Sequence, residues 1–195
     1  NSIMPIVING SGTVTGLSVG GLPDGSVDRD TLAASAKGSI LQVVQATELD
    51  DQSSTSTSWA DISGITVNIT PSASSSKVLV KAELSLSCTG RYGFIKLVRG
   101  STDIGIGNAD GSRTRCSFTI GSNDSASNDA LTIKHNSFSW LDSPSTTSQV
   151  TYKCQWQIGH GSGTMYLNRF WESQNEDHAY NSRPASTITV MEVAA

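Results

Sequence analysis

The stretch Gly159-His-Gly-Ser-Gly163 sets an imidazole and a hydroxyl among glycines, the residue types of a nucleophile carried on a tight turn. A nucleophile elbow needs glycine two positions to either side of its serine, and around Ser162 those places hold His160 and Thr164. A hairpin turn between two strand runs accounts for the same residues. His135, His160 and His178 stand far apart without His-x-x-x-His or Glu-x-x-His spacing, so no metal site is predicted. The loops Asn108-Ala-Asp-Gly111 and 123–129 offer oxygen donors but no ordered ligand series, and are read as turns rather than calcium sites. Gly105-Ile-Gly107 is too short for a dinucleotide fingerprint, and no Gly-Lys-Ser/Thr phosphate loop occurs, so no cofactor is predicted. Glu172, Glu176 and Asp177 crowd into one segment, whereas glycan cleavage needs two carboxylates at a set separation across the substrate. The expectation is a protein that is not an enzyme. Cys88, Cys116 and Cys154 form neither a disulfide framework nor a zinc pattern. They read as small apolar residues of strands, with a bridge between one pair left open for an oxidising medium.

One segment has the composition of a recognition loop. Arg169-Phe-Trp-Glu-Ser-Gln-Asn-Glu-Asp-His-Ala-Tyr-Asn-Ser-Arg183 mixes aromatics, acids and amides after a strand. Trp171, His178 and Tyr180 are the candidate surface-recognition contacts, able to stack on a sugar ring while Glu172, Asn175 and Asp177 meet its hydroxyls. In the competing reading Trp171 and Tyr180 cover a sheet edge or a seam between subunits.

The elements that must position such a loop are strands. Lys77-Val-Leu-Val-Lys-Ala-Glu-Leu-Ser-Leu-Ser87 alternates Val78, Val80, Ala82, Leu84 and Leu86 with mostly polar neighbours, the period of a half-buried strand. Residues 62–69 repeat the pattern with Ile65, Val67 and Ile69 before Pro71. Further strands are expected at 40–46, 92–99, 102–106, 113–120, 131–141, 149–159, 164–170 and 187–193, while Ser-rich 51–58 and 72–76 read as solvated turns. Many short strands with no long helical period predict an all-β fold: an antiparallel two-sheet sandwich of jelly-roll type, with an extended Gly-rich N-terminal arm and one short helix. The helix is expected over 27–37, capped by Asp28 and stopped by Gly38. The domains are therefore 1–38, an attachment and oligomerisation arm, and 39–195, the β-sandwich.

A length of 195 residues with 36% hydrophobic and 15% charged suits one such domain plus an appendage. Net charge −4 without a Lys/Arg cluster argues against a nucleic-acid partner. No apolar run reaches the ~18 residues that span a bilayer, and the start lacks the parts of a secretory signal, so no membrane insertion is expected.

The arm itself is the least self-sufficient part. Gly10-Ser-Gly-Thr-Val-Thr-Gly-Leu-Ser-Val-Gly-Gly-Leu-Pro-Asp-Gly25 has little to bury, yet ordering each residue costs about 1–2 kcal/mol of backbone entropy. Glycine permits close approach of several backbones. Ile6, Val7, Ile8, Val14, Leu17, Val19 and Leu22 are the candidate contacts for oligomerisation and attachment to a larger particle. The opposed reading is a flexible tether.

Five stretches extend these readings: Ile8 to Asp28, Leu97-Val-Arg-Gly-Ser-Thr102, Gly111-Ser-Arg-Thr-Arg115, Leu141-Asp-Ser-Pro-Ser-Thr-Thr147 and Ala185-Ser-Thr-Ile-Thr-Val-Met-Glu-Val193. In this order, from arm to C-terminus, the chain resembles short fibre and virion structural proteins of tailed bacteriophages of the marine and cyanophage type. The resemblance implies a homotrimeric virion protein, assembled in the host cytoplasm, whose arm binds other virion proteins. The β-domain would then project toward a host surface glycan or protein. It equally fits a head decoration or minor capsid protein that stabilises the shell. The start Asn1-Ser-Ile-Met4 departs from the pattern, for which Met4-Pro-Ile-Val would be a natural beginning. Asn9, Asn68 and Asn123 open glycosylation sequons that a protein made in a bacterium leaves bare.

Overall fold

Period-two alternation buries one side of a strand and wets the other, so each such run needs a sheet with a covered face. A computed structural model of the chain describes residues 7–8, 14–15, 39–89, 92–121, 133–159, 162–170, 177–179 and 181–194. The chain divides into two units, Asn1–Gly38 and Ser39–Ala195. In the first, β1 (Val7–Ile8) pairs antiparallel with β2 (Val14–Thr15), Val7 opposite Thr15 and Ile8 opposite Val14. The expected helix at 27–37 lies outside the described residues.

The second unit contains β3 (Ile40–Glu48), β4 (Gln52–Ser54), β5 (Ala60–Ile69), β6 (Lys77–Cys88), β7 (Gly93–Arg99) and β8 (Thr102–Ile104). They are followed by β9 (Phe118–Ile120), β10 (Lys134–Asp142), β11 (Val150–Ile158), β12 (Met165–Leu167) and β13 (Ser186–Val193). Every strand pair among the described residues is antiparallel, and no described residue is helical. The pairing is nested: β3 with β13, β5 with β11, β6 with β10, and β7 with both β8 and β9. Pairing of β13 with β6 and of β11 with β7 joins these ladders into a six-stranded first sheet and a five-stranded second sheet. Within the first sheet β12 lies beside the end of β6, and β4 beside β12. Inward residues of both sheets form one core, with Val80, Leu84 and Ile188 from the first and Ile65, Leu97 and Tyr152 from the second all at most 1% exposed.

The spacing of Ile62 and Ile65 breaks the period of two, yet both are fully buried. Between them Gly64 takes φ +72°, and the register of β5 against β11 shifts there, from Thr66 opposite Lys153 to Asp61 opposite Gln155. The bulge turns the chain so that both isoleucines point inward. Glycine suits the position because φ +72° is a conformation that L side chains rarely adopt, and a Cβ there would also have to displace the Glu48 carboxylate.

Several expected boundaries move for local reasons. The run 102–106 stops at Ile104 because Gly105 adopts φ +58° and a Cβ there would meet Phe138. The strand expected over 113–120 shrinks to Phe118–Ile120, since the Ser117 hydroxyl accepts the Leu97 N–H at 3.0 Å where a ladder carbonyl would be needed. The strand expected over 164–170 ends at Leu167, as Asn168 turns to φ +59°. Ser-rich 51–58 was expected to be turn throughout, but Gln52–Ser54 forms β4 and pairs with the otherwise open edge of β12. Beyond it Ser56 and Ser58 do make a turn, with the Ser56 hydroxyl donating to the Ser58 carbonyl at 2.6 Å.

Two buried carboxylates lie in one cross-strand row, at either side of Val78. Asp142 on β10 and Glu192 on β13 both sit opposite that residue. Asp142 accepts hydrogen bonds from Arg99 Nη1 at 2.8 Å and from the hydroxyl of fully buried Tyr152 at 2.7 Å, tying the two sheets together. Burial first, then the Asp142 carboxylate, raises the Tyr152 pKa well above the phenol range. Glu192 is fully buried as well, but its donors are neutral: the Ser72 amide at 2.7 Å, the Ser72 hydroxyl at 2.6 Å and Gln42 Nε2 at 2.6 Å. The 72–76 serines therefore do more than make a solvated turn. Burial alone would raise the Glu192 pKa, and hydrogen bonds from Ser72, Gln42 and Ser76 overturn it, holding the carboxyl at about 2.

Candidate functional site

The segment 169–185 joins β12 to β13, and the fold fastens it where it leaves the sheet and where it returns. At the departure, Asn168 is fully buried with positive φ, a conformation its short polar side chain tolerates. Its Nδ2 donates to the carbonyls of Glu48 at 2.9 Å and Asp50 at 3.0 Å. Its Oδ1 accepts from the Ser186 hydroxyl at 2.6 Å, which joins departure to return. Ser186 Oγ in turn accepts the Ser85 N–H at 2.9 Å, and Asn168 N–H donates to the Ser85 carbonyl at 2.9 Å. Each buried polar atom of this cluster that joins the chain ends thus has a partner, the condition under which such a network rigidifies rather than destabilises.

A second layer repeats the fastening with charge. Asp51 faces Arg169 Nε at 3.1 Å through one oxygen and Arg183 Nη1 through the other, so one carboxylate spans both ends of the segment. Arg169 lies with its guanidinium 4.8 Å from the Tyr166 ring centroid, and its carbonyl accepts the Ser87 hydroxyl at 2.9 Å. Of the expected contacts there, His178 is exposed, with its carbonyl accepting the Asn181 N–H at 2.9 Å, and Asp177 is exposed beside it. Trp171, Glu172, Asn175 and Tyr180 lie outside the described residues.

Among the expected arm contacts, Val7, Ile8 and Val14 fall on β1 and β2, whereas Ile6, Leu17, Val19 and Leu22 lie outside the described residues. Ser162 is exposed, and His160 lies outside the described residues. A serine–histidine contact that spacing did not reveal joins Ser85 Oγ to His135 Nδ1 at 3.2 Å across β6 and β10. Ser85 is only 2% exposed and also directs its hydroxyl to the Ala185 carbonyl at 3.3 Å, so substrate cannot reach it as a nucleophile needs.

No disulfide joins the three cysteines. Burial pushes the Cys154 thiol up to about 12 and raises that of Cys116 too, the opposite of what an attacking thiolate requires. Among the described residues no three His, Cys, Asp or Glu side chains converge as metal ligands. No described helix is long and apolar enough to cross a membrane.

Asn168, Ser186 and Asp51 escaped sequence reasoning. The available signal was weak: an Asn directly after a strand, and two arginines bracketing the aromatic segment. Comparison with known proteins adds no family, since no family model matches the chain and no curated protein matches it significantly.

Proposed function

We propose that this chain is a non-enzymatic structural protein of a bacteriophage particle, a homotrimeric tail fibre or adhesin. Residues 1–38 dock on the particle, and the 39–195 domain, a sandwich of jelly-roll type, projects toward the host. The observation that carries this reading is the strand order. Counting β3, β5, β6, β7, β8/β9, β10, β11 and β13 as one to eight, the sheets run 1-8-3-6 and 2-7-4-5. This order supports the reading of a long antiparallel ladder rolled on itself, as in the jelly rolls that recur in viral shell and lectin domains. Fold alone does not assign function, and the clasped 169–185 segment supplies the local argument for recognition. A connection fixed at both ends by Asn168, Ser186 and Asp51 loses less entropy when its aromatics meet a surface. Three such contacts on one trimer act at high effective concentration, so weak individual contacts give firm attachment.

The test is competition and labelling. Purified chain should block adsorption of the phage that encodes it, and antibody against the β-domain should decorate the tail. The double substitution Trp171→Ala with Tyr180→Ala should abolish the block while leaving the fold intact. Decoration of the head without competition would replace the adhesin by a shell-stabilising protein. Particles that carry no label at all would refute a virion role.

A further inference from the structure

We infer that the outer face of the first sheet, across β3, β13, β6 and β10, is the surface on which copies of this chain meet. The inference rests on the homotrimer of the proposed function and assigns its contact face.

An antiparallel sheet with one face in water alternates apolar inward with polar outward. The second sheet follows this rule in the main: outward Lys153 and Gln155 both donate to Asp61, at 2.7 and 2.6 Å, Lys96 pairs with Asp103 at 2.7 Å, and of the apolar residues on that side Val98 is covered to 3% exposure and Phe94 is half-buried. The first sheet breaks it at one level on all four strands. Val43 lies opposite Met191, Met191 opposite Leu79, and Leu79 opposite Leu141. Their sequence neighbours Val78, Val80 and Val190 are fully buried in the core, so these four point the other way. The ends of the stripe stand well out, Val43 at 56% and Leu141 at 47% exposed. Ile40, opposite Val193 at the rim, is 43% exposed.

The chemistry of the face selects its occupant. Its central charges, Lys81 and Glu83, already pair with each other at 2.9 Å. The row beside the stripe sets uncharged Gln45, Thr189 and Ser139 around Lys81, with Gln45 Nε2 donating to Thr189 Oγ1 at 2.8 Å. A symmetric assembly sets the same patch of one copy near that of the next, so a face crowded with unpaired charge would repel itself; here Lys77, exposed at the rim opposite Val193, is the cation that stands outside the Lys81–Glu83 pair. A phosphate backbone needs unpaired cations, and a sugar ring needs an aromatic platform; the stripe is aliphatic and offers neither. Its size also fits a copy of the same domain. Four strands about 4.8 Å apart and the eight residues of β13 at about 3.4 Å each make a face of roughly 19 by 27 Å. In projection that is on the order of 500 Å², the scale of one partner's share in a standard interface of ~800 Å² per side.

The full chain tests the assignment, with sedimentation velocity reading its assembly state and hydroxyl-radical footprinting reading Met191. Val43→Glu combined with Leu141→Glu places carboxylates at the two exposed ends of the stripe, where no internal packing is lost. The expected result is several-fold faster labelling of Met191 in the variant than in the parent, with a lighter sedimenting species wherever the arm does not by itself hold the copies together. Far-ultraviolet dichroism and thermal melting verify that the variant is folded. If it is not, Val43→Thr with Leu141→Thr asks the same question with residues that strands accept. A parent oligomer whose Met191 labels no more slowly than that of the folded variant overturns this face and leaves the trimer standing. A parent that sediments as a monomer at micromolar concentration overturns the trimer itself.

Discussion

Asp142 and Glu192 occupy equivalent places on either side of Val78, yet the fold satisfies them in different ways. Asp142 faces a cation and a phenol, both from the second sheet, so its charge is neutralised and its bonds are long-range ties between layers. Glu192 meets no cation among the described residues and is held by a backbone amide, a hydroxyl and a side-chain amide that close the connection after β5 onto the edge of the sheet. Burying a carboxylate is tolerable by either route, provided its lone pairs are filled. What differs is the consequence of damage. Removing one partner of the ion pair strands a charge, whereas removing one of several neutral donors leaves the rest in place.

The largest expected effect is therefore Asp142→Ala. It leaves the buried Tyr152 hydroxyl without its acceptor and the Arg99 guanidinium without its carboxylate, with the Ser143 carbonyl at 3.1 Å still accepting from it, and unfolding in urea should register a loss of about 3 kcal/mol. A loss below about 1 kcal/mol would mean that the two layers do not depend on this tie. Next comes Glu192→Gln, which turns one acceptor oxygen into a donor facing donors and should cost about 2 kcal/mol at neutral pH. The same carboxylate carries a pH signature. Its folded pKa, about 2, lies below that of the unfolded chain, so its contribution is complete above the ordinary glutamate range and is lost as pH falls through the folded value. Denaturation titrated from pH 6 down to about 2 should show a decline that Glu192→Gln flattens. An identical decline in both proteins would assign it to other acids.

Ser72→Ala is milder, because the Ser72 amide still donates to Glu192 Oε1 at 2.7 Å; about 1 kcal/mol is expected, with the acid limb moved to higher pH. Smallest is the coupling between the two sites. With Val78 between them they lie two strand spacings apart, about 10 Å. Asp142→Ala and Glu192→Gln together should then add within about 0.5 kcal/mol. A larger coupling would make the row one network and dissolve the contrast drawn above.

How much of this was legible in advance varies with how local each feature is. The alternation in 77–87 predicts β6 almost to the residue, because every second position meets the same core. Strands β7, β10, β11 and β13 follow from strand-forming residues set between turn-rich segments. The bulge at Gly64 was half visible, since Ile62 and Ile65 stand three apart, but the φ of +72° that calls for glycine there belongs to the folded backbone. β4 was hidden. Gln-Ser-Ser has no strand preference and pairs only because β12 offers an open edge. Of the candidate recognition segment, composition identified the aromatic stretch, while Asn168, Ser186 and Asp51, which fasten its ends, come from places far apart in sequence.

Side-chain periodicity and turn residues, which act over a few positions, were enough to determine an all-β chain of short antiparallel strands preceded by a glycine-rich stretch. Which strands became neighbours was decided only by the tertiary structure. Pairing β3 with β13 and Asp142 with Arg99 joins residues separated by long stretches of chain, and no local preference encodes such a meeting. The apolar row Val43, Met191, Leu79 and Leu141 illustrates the point: each is an ordinary strand residue in sequence, and register alone makes them one surface.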